Sequence, residues 1–133
     1  MHKILVGFNG GEPGQRALRT TIELAKALDA SVAVVSVVPR HPGRIAEDPW
    51  DDHDVHQNEL LEARRVLAEA GIDAELIEPH GDPAHAIETI AAERGIDLIV
   101  VAPRGLGTVN RFLQGSVSEH VATHAAATVV VAR

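Results

Sequence analysis

Short apolar runs alternate with longer amphipathic segments along this chain, and this alternation limits the possible fold more than any other feature. The apolar runs are rich in β-branched residues and lie at 4–8, 32–38, 74–77, 98–101 and 128–131. Most of these runs are continuous rather than alternating, which predicts strands buried on both faces, because a strand with one solvated face alternates apolar and polar residues. The sequence therefore predicts an α/β fold in which strand–helix units wind around a parallel sheet of five strands.

The segments between the runs predict helices with one apolar face each. Their apolar positions recur every three or four residues, which places them on a single side of a helix. Asp82 and Pro83 form a cap and first turn for the third helix, and Gly71 and Gly95 stand where the second and third helices should end. The predicted core faces are Leu18, Thr21, Ile22, Ala25 and Leu28; then Leu60, Ala63, Leu67 and Ala70; then Ile87, Ile90 and Ala91.

Residues 39–54 interrupt this pattern. The segment holds three prolines, a glycine and an acidic cluster, and it has neither a helical nor a strand period. Proline and glycine at this density are typical of irregular connections. The sequence predicts a long loop here.

Composition bounds the class of protein. With 133 residues and 45% hydrophobic side chains, the chain has the size and apolar content of one domain, and we expect residues 1–133 to fold as one. The absence of cysteine excludes disulfides, thiolate metal sites and thiol nucleophiles. A formal net charge of −7 opposes nucleic-acid binding. No apolar run is long enough for a membrane span or a signal peptide, so we expect a cytoplasmic location and no membrane partner.

Two loops lack side-chain bulk and follow predicted strands, at 9–11 and at 102–115. In an open parallel sheet ligands bind beyond the carboxyl ends of the strands, and glycine-rich strand–helix junctions expose amides that suit an anion. Gly115, Ser116 and Val117 are the best candidates for phosphate binding. The alternative is structural, because Ser116 followed by Glu119 also forms a capping box.

Catalytic and metal chemistry have weaker support. Arg104 and Arg111 flank the second loop and can neutralise phosphate oxygens, although arginines in such loops are often only solvated. The chain has no P-loop sequence and no G-x-S-x-G elbow, so no catalytic residue is predicted. The histidines at 53 and 56, and those at 120 and 124, lack the three or four convergent ligands that zinc requires, and no metal site is predicted.

Three stretches resemble the universal stress protein family: "KILVGFNGGEPGQRAL", "GDPAHAIETIAAERGIDLIVVAPRG" and "GSVSEHVATHAAATVVVAR". The resemblance extends along nearly the full chain, and residues 39–58 are the part that does not match. The resemblance implies a parallel sheet in the order 3-2-1-4-5, with the winding reversal between the first and fourth strands. It also implies a role in the stress response and a homodimer formed through the last strand, whose apolar edge at 128–132 would otherwise be exposed.

Members of that family that bind ATP carry a loop with three glycines. Two residues separate the first glycine from the second, nine residues separate the second from the third, and Ser or Thr follows the third. Here Gly105, Gly115 and Ser116 match, whereas Ala102 replaces the first glycine. Asn9 stands where the family has an aspartate near the ribose, and Val37 stands where backbone meets the adenine. The expected binding residues for an adenine nucleotide, ATP with Mg²⁺ being favoured, are Asn9, Val37, Ala102, Arg104, Gly105, Gly115, Ser116 and Val117.

The two departures leave alternatives open. If position 102 needs a positive φ, alanine costs about 1–2 kcal/mol, and otherwise only one methyl group must be accommodated. Asn9 keeps an acceptor but loses charge assistance, at about 1 kcal/mol. The leading interpretation is a regulatory protein that binds an adenine nucleotide and is at most a slow ATPase. The rival is a nucleotide-free dimeric interaction protein of the same fold.

Overall fold

The computed structural model describes residues 2–8, 11–36, 53–79, 83–102 and 127–132, and the side chains of 53–56 and 83–84 are outside that description. Within these residues, strands and helices alternate along the chain. The strands are β1 Lys3–Gly7, β2 Ser31–Val35, β3 Ala74–Ile77, β4 Leu98–Val101 and β5 Thr128–Val131. The helices are α1 Gly11–Leu28, α2 His53–Glu69 and α3 Pro83–Arg94.

All five strands form one parallel sheet in the order β3-β2-β1-β4-β5, which confirms the predicted order. Leu5 of β1 pairs in register with Ala33 of β2 and Ile99 of β4. These three residues pack with α3 on one face of the sheet, while Ile4 and Val6 pack with α1 and α2 on the other. The sheet is therefore the middle layer between two helical layers.

Burial follows the position of each strand in the sheet. β1, β2 and β4 are buried on both faces along most of their length, as the apolar runs predict. β3 and β5 stand at the two edges, where one flank has no neighbouring strand of the described sheet, and their residues are mostly half-buried or exposed. Burial on both faces, which the sequence predicts for most of the strands, is therefore confirmed for the three inner strands and does not extend to the two edge strands.

Most residues of the predicted helical faces lie in the core. Leu18, Thr21 and Ala25 of α1 are buried, as are the predicted faces of α3 and most of that of α2, whereas Ile22 and Ala70 are half-buried. Leu28, the last residue of α1, instead keeps 38% of its surface exposed. Among the described residues, no helix is long and apolar enough to cross a membrane.

The three described helices end in the same way. One or two residues after the end of each helix, the backbone is left-handed: Asp29 has φ 53°, Gly71 has φ 83° and Gly95 has φ 63°. The amide that follows donates to a carbonyl five residues back, which closes the last turn: Ala30 to Ala25 at 3.0 Å, Ile72 to Leu67 at 2.9 Å and Ile96 to Ala91 at 2.9 Å. The glycine stops at 71 and 95 are confirmed, and Pro83 begins α3 as predicted.

The predicted loop at 39–54 is too long at its carboxyl end. α2 begins at His53, so residues 53 and 54 are helical. The acidic residues at 51, 52 and 54 precede or enter the first turn, where negative charge stabilises a helix. The rest of that segment, 39–52, lies outside the described residues.

Candidate functional site

The winding direction reverses at the carboxyl ends of β1 and β4. The two strands are neighbours in the sheet, yet the chain leaves β1 toward β2 through α1 and reaches β4 from β3 through α3 on the opposite face. Connections that depart to opposite sides leave a crevice between the two strand ends, and this is where open α/β sheets bind ligands. The candidate site is therefore the edge formed by the ends of β1, β2 and β4.

Phe8 fixes the end of β1. Its side chain is 1% exposed, and its backbone N–H donates to the carbonyl of Val35 at 2.9 Å. The ring lies directly against Gly14 in the first part of α1, where a Cβ atom would stand 2.9 Å from Phe8 Cε1. Gly11, with φ 66°, begins α1. The strand end and the start of α1 are thus packed together, with residues 9 and 10 between them.

Ser36 fixes the end of β2. It is fully buried, its backbone N–H donates to the carbonyl of Ile77 at 3.1 Å, and its hydroxyl donates to Glu59 Oε2 at 3.4 Å. The first bond joins β2 to β3, and the second joins β2 to α2. Ser36 thereby ties the point at which the chain leaves β2 to two neighbouring elements.

Ala102 follows β4 and is half-buried, with its methyl group packed against the core on the α1–α2 face. Among the described residues, Asp29 is the one non-glycine residue with a positive φ. Ala102 therefore does not adopt the left-handed backbone conformation. Of the two alternatives left open for position 102, backbone strain is therefore not the one observed. The other alternative, the space that one methyl group occupies, remains.

Charge at the start of α1 is already paired. Glu12 stands in the first turn, and its carboxylate accepts a hydrogen bond from Arg19 at 2.8 Å. That hydrogen bond, together with the positive charge of Arg19, lowers the pKa of Glu12. Both side chains are more than half exposed, so water screens this pair strongly.

A second concave region lies at the opposite, amino-terminal edge of the sheet. This depression of about 510 Å³ is bordered by Lys3 and by Ser31 and Ala33 of β2, with Glu75 and Arg94 on its rim. Arg94 forms an ion pair with Glu75, and Lys3 Nζ donates to the carbonyl of Arg94 at 3.3 Å. Because the two cations are already engaged and the region is at the wrong end of the strands, we do not assign the ligand site to it.

Of the eight predicted binding residues, one, Ala102, lies within the part of the chain that the structure describes. Asn9, Val37, Arg104, Gly105, Gly115, Ser116 and Val117 lie outside the described residues, as do the side chains of the four histidines considered for metal binding. Sequence reasoning did not single out Phe8, Ser36 or Glu59. A serine within the apolar run 32–38 was the available signal for Ser36.

Comparison with known proteins agrees with this architecture. The model of the universal stress protein family matches residues 1–133. The universal stress protein YxiE of Bacillus subtilis is 30% identical over 149 residues, covering 99% of this chain and 99% of that protein. A universal stress protein solved in complex with cAMP is 25% identical, covers 99% of this chain and 97% of its own, and has a TM-score of 0.78.

A more distant structure shows the same fold. It is the universal stress protein of Archaeoglobus fulgidus solved in complex with dAMP, which is 23% identical, covers 100% of this chain and 98% of its own, and has a TM-score of 0.77. The parallel order 3-2-1-4-5, the position of the winding reversal and the match along all 133 residues point the same way. This chain belongs to the universal stress protein family.

Proposed function

We propose that this protein binds an adenine nucleotide at the carboxyl ends of β1 and β4. The observation that carries the proposal is the winding reversal at these two strands, in a chain that is 25% identical over 99% of its length to a universal stress protein in complex with cAMP. Among adenine nucleotides we favour ATP with Mg²⁺, because a glycine-rich loop with Ser116 offers several donors to a polyphosphate.

Each part of the nucleotide has a proposed partner. The amides of Gly115, Ser116 and Val117 hold phosphate oxygens, because the first amides of a helix have no acceptor within the helix. Gly105 lets the backbone approach the phosphates closely, and Arg104 neutralises their charge. Asn9 accepts a hydrogen bond from the ribose, Val37 meets the adenine through its main chain, and Ala102 begins the phosphate loop.

Ala102 is compatible with this role. Its backbone is not left-handed, so the family glycine is not needed here to avoid strain. Its methyl group packs into the core on the α1–α2 face and adds to the stability of the strand end. We therefore expect the loop that follows Ala102 to start from an unstrained residue.

The proposed biological role is regulatory. Nucleotide binding orders the phosphate loop and changes the surface offered to a protein partner in the cytoplasm during stress. The chain acts as a homodimer through β5, because this edge strand ends the described sheet and carries Val129, Val130 and Val131, which are only half-buried. Light scattering at micromolar concentration tests the dimer, and a monomer mass refutes it.

Isothermal titration calorimetry of nucleotide-stripped protein with ATP and Mg²⁺, and separately with cAMP, tests the function. We expect saturable binding at one site per chain. Ser116→Glu places a negative charge at the phosphates and weakens ATP binding at least about tenfold. Ser31→Glu is the matched control, because Ser31 is exposed at the opposite edge of the sheet, and we expect its affinity to equal that of wild type.

Ala102 variants test how closely the ligand approaches the end of β4. Ala102→Gly removes no strain, so we expect its affinity for ATP to stay within about threefold of wild type. A much tighter Ala102→Gly variant would mean that the methyl group obstructs the loop.

The replacement of the family glycine by Ala102 is also what favours the second candidate, a nucleotide-free interaction protein. No heat with either nucleotide, together with an unshifted melting temperature at millimolar ATP, would contradict nucleotide binding and support that candidate instead.

A further inference from the structure

β3 is an edge strand, and its outer flank has no neighbouring strand in the described part of the sheet. The amide of Ser36 donates to the carbonyl of Ile77 at 3.1 Å, so Ile77 turns its main-chain groups toward β2. Successive residues of a strand turn their N–H and C=O groups to opposite flanks. Leu76 therefore directs its N–H and C=O away from β2, as does Ala74 two residues earlier. The outer flank of β3 thus carries donors and acceptors on which a further strand can form.

α2 borders this flank on one side. It packs on β2 and β3 and has α1 beside it, so it is the outer helix on its face of the sheet. On one side of its buried stripe, Val66 packs into the core cluster that also contains residues of α1. On the other side Leu61, Arg64 and Ala68 are exposed, and Leu61 keeps 44% of its surface accessible. Because α1 adjoins the first side, the side with the exposed leucine lies over the sheet edge.

The depression of about 510 Å³ borders β3 on the other side, and the carboxylates of Asp73, Glu75 and Glu93 surround it. Glu75 is paired with Arg94, and Lys3 Nζ donates to the Arg94 carbonyl. Among the described residues, Asp73 and Glu93 form no ion pair. The depression therefore keeps negative charge that a cationic group of a partner can neutralise.

The exposed leucine and the depression lie on opposite faces of the sheet. Leu76 packs with the core on the α1–α2 face, whereas Ala33, in the wall of the depression, packs on the α3 face. A strand added to β3 places its side chains alternately on these two faces. One set of side chains then meets Leu61, and the other set meets the carboxylates. The surface therefore fits an extended segment in which apolar and basic residues alternate.

Charge favours such a segment over a second copy of this chain. A copy paired through the same edge brings its own Asp73 and Glu75 toward these carboxylates, and like charges on paired strands destabilise the pair. The formal net charge of −7 adds repulsion between copies and attracts a basic partner. β5, through which the proposed function forms a homodimer, stands at the opposite edge of the sheet, so that dimer leaves β3 accessible.

We propose that the outer flank of β3 is a docking site for an extended basic segment of a protein partner, which joins the sheet as a further strand. The main chain of the segment pairs with Leu76, and its apolar side chains pack on Leu61. Its lysine or arginine side chains enter the depression beside Asp73 and Glu93. The site lies apart from the crevice between β1 and β4, so the inference does not rest on nucleotide binding.

Fluorescence anisotropy of short labelled peptides with the full chain tests the proposal. The probe alternates valine and lysine. A second peptide has glutamate in place of every lysine, and a third has the composition of the probe with all valines before all lysines. We expect the probe to bind with a Kd below about 1 mM, and the other two peptides to bind at least about tenfold more weakly.

Hydrogen exchange followed by NMR locates the bound peptide. We expect the amide of Leu76 to gain protection when the probe binds, because it faces the outer flank of β3. The amide of Ile77 faces β2 and serves as the internal reference. Binding without added protection at Leu76 assigns the peptide to another surface and refutes the proposal.

Two charge reversals on the protein form a matched pair. Glu93→Lys and Glu23→Lys change the net charge equally and both replace exposed residues, but Glu93 borders the depression and Glu23 lies on α1. We expect Glu93→Lys to weaken the probe about fivefold and Glu23→Lys to stay within about twofold of wild type. Leu61→Ser weakens the probe about threefold by removing the apolar contact. Urea unfolding shows that each variant is folded.

The remaining outcomes also decide the question. A probe that does not bind at about 1 mM refutes the proposal, as does equal binding of all three peptides. Equal effects of Glu93→Lys and Glu23→Lys refute the role of the depression and the proposal with it. Light scattering that shows a dimer dissociated by Leu61→Ser or Glu93→Lys assigns this edge to a second copy of the chain, which overturns the proposed partner.

Discussion

Gly14 is the position where a single methyl group has the most predictable consequence. It is buried in α1, and its Cα faces the ring of Phe8 at the end of β1. A Cβ atom built there lies 2.9 Å from Phe8 Cε1 and 3.0 Å from Cδ1, closer than carbon atoms pack in proteins. The ring is itself 1% exposed and enclosed by core residues, so it cannot move into solvent. Gly14→Ala therefore displaces α1 from the end of β1.

Two free energies of opposite sign decide the effect of Gly14→Ala. Replacing a glycine in a helix by alanine stabilises the folded state by about 0.5–1 kcal/mol, because glycine loses more backbone entropy on folding. Overpacking a close-packed core costs about 1–3 kcal/mol. The second quantity is larger over most of its range, so we expect the variant to lose up to about 2.5 kcal/mol of unfolding free energy.

Urea unfolding followed by circular dichroism measures this loss. Glu23 is exposed on the same helix, and the difference between Glu23→Ala and Glu23→Gly gives the intrinsic alanine–glycine difference in this host. In a Phe8→Leu background the ring is gone, and we expect Gly14→Ala to become neutral or stabilising. A Gly14→Ala protein that is stabilised as much as the Glu23 pair predicts would refute the argument that Phe8 requires this glycine.

Further predictions concern the helix end, the core and the surface ion pairs. Asp29→Gly raises the melting temperature, with a gain of about 0.5–1 kcal/mol, because Asp29 holds a left-handed φ of 53° that glycine adopts without strain. Leu67→Ala loses about 2–5 kcal/mol in urea unfolding, whereas Leu61→Ala, on the same helix but 44% exposed, loses less than about 1. The hydrogen bond from Arg65 lowers the pKa of Glu62 from its ordinary 4.5. This pair therefore stabilises the fold above pH 4.5 and loses its effect as pH falls through the lowered pKa. Glu62→Gln leaves the bond from Arg65 to Glu69 in place, so the difference in urea midpoint between wild type and Glu62→Gln should shrink between about pH 7 and pH 3.

Local patterns predicted the elements well because each depends on nearby residues. The apolar run 74–77 is a strand with the predicted bounds, and Gly95 ends α3 where a helix stop was predicted. Burial at the edges was harder to predict, since a run such as 128–131 does not reveal how many strands flank it. Asp29 was missed because aspartate adopts the left-handed conformation far less often than glycine.

The candidate site was less predictable, since its parts meet only in three dimensions. The sequence identified position 102 but not its backbone conformation, which decides whether alanine is strained there. Ser36 and Glu59 are separated by 23 residues, and no periodicity links a serine in a strand to a glutamate in a helix. The pairing depends on how α2 crosses the end of β2, which is a property of the assembled layers.

The strand ends around the candidate site are held by interactions within the chain itself. Phe8 packs against Gly14, Ser36 is tied to Glu59, and Ala102 continues β4 with its methyl group in the core. A ligand that binds at this edge therefore pays little free energy to order the strand ends, and its affinity depends on the loops that follow them. Substitutions in those loops should alter affinity without altering stability. Substitutions in the three strand-end contacts should alter both stability and affinity.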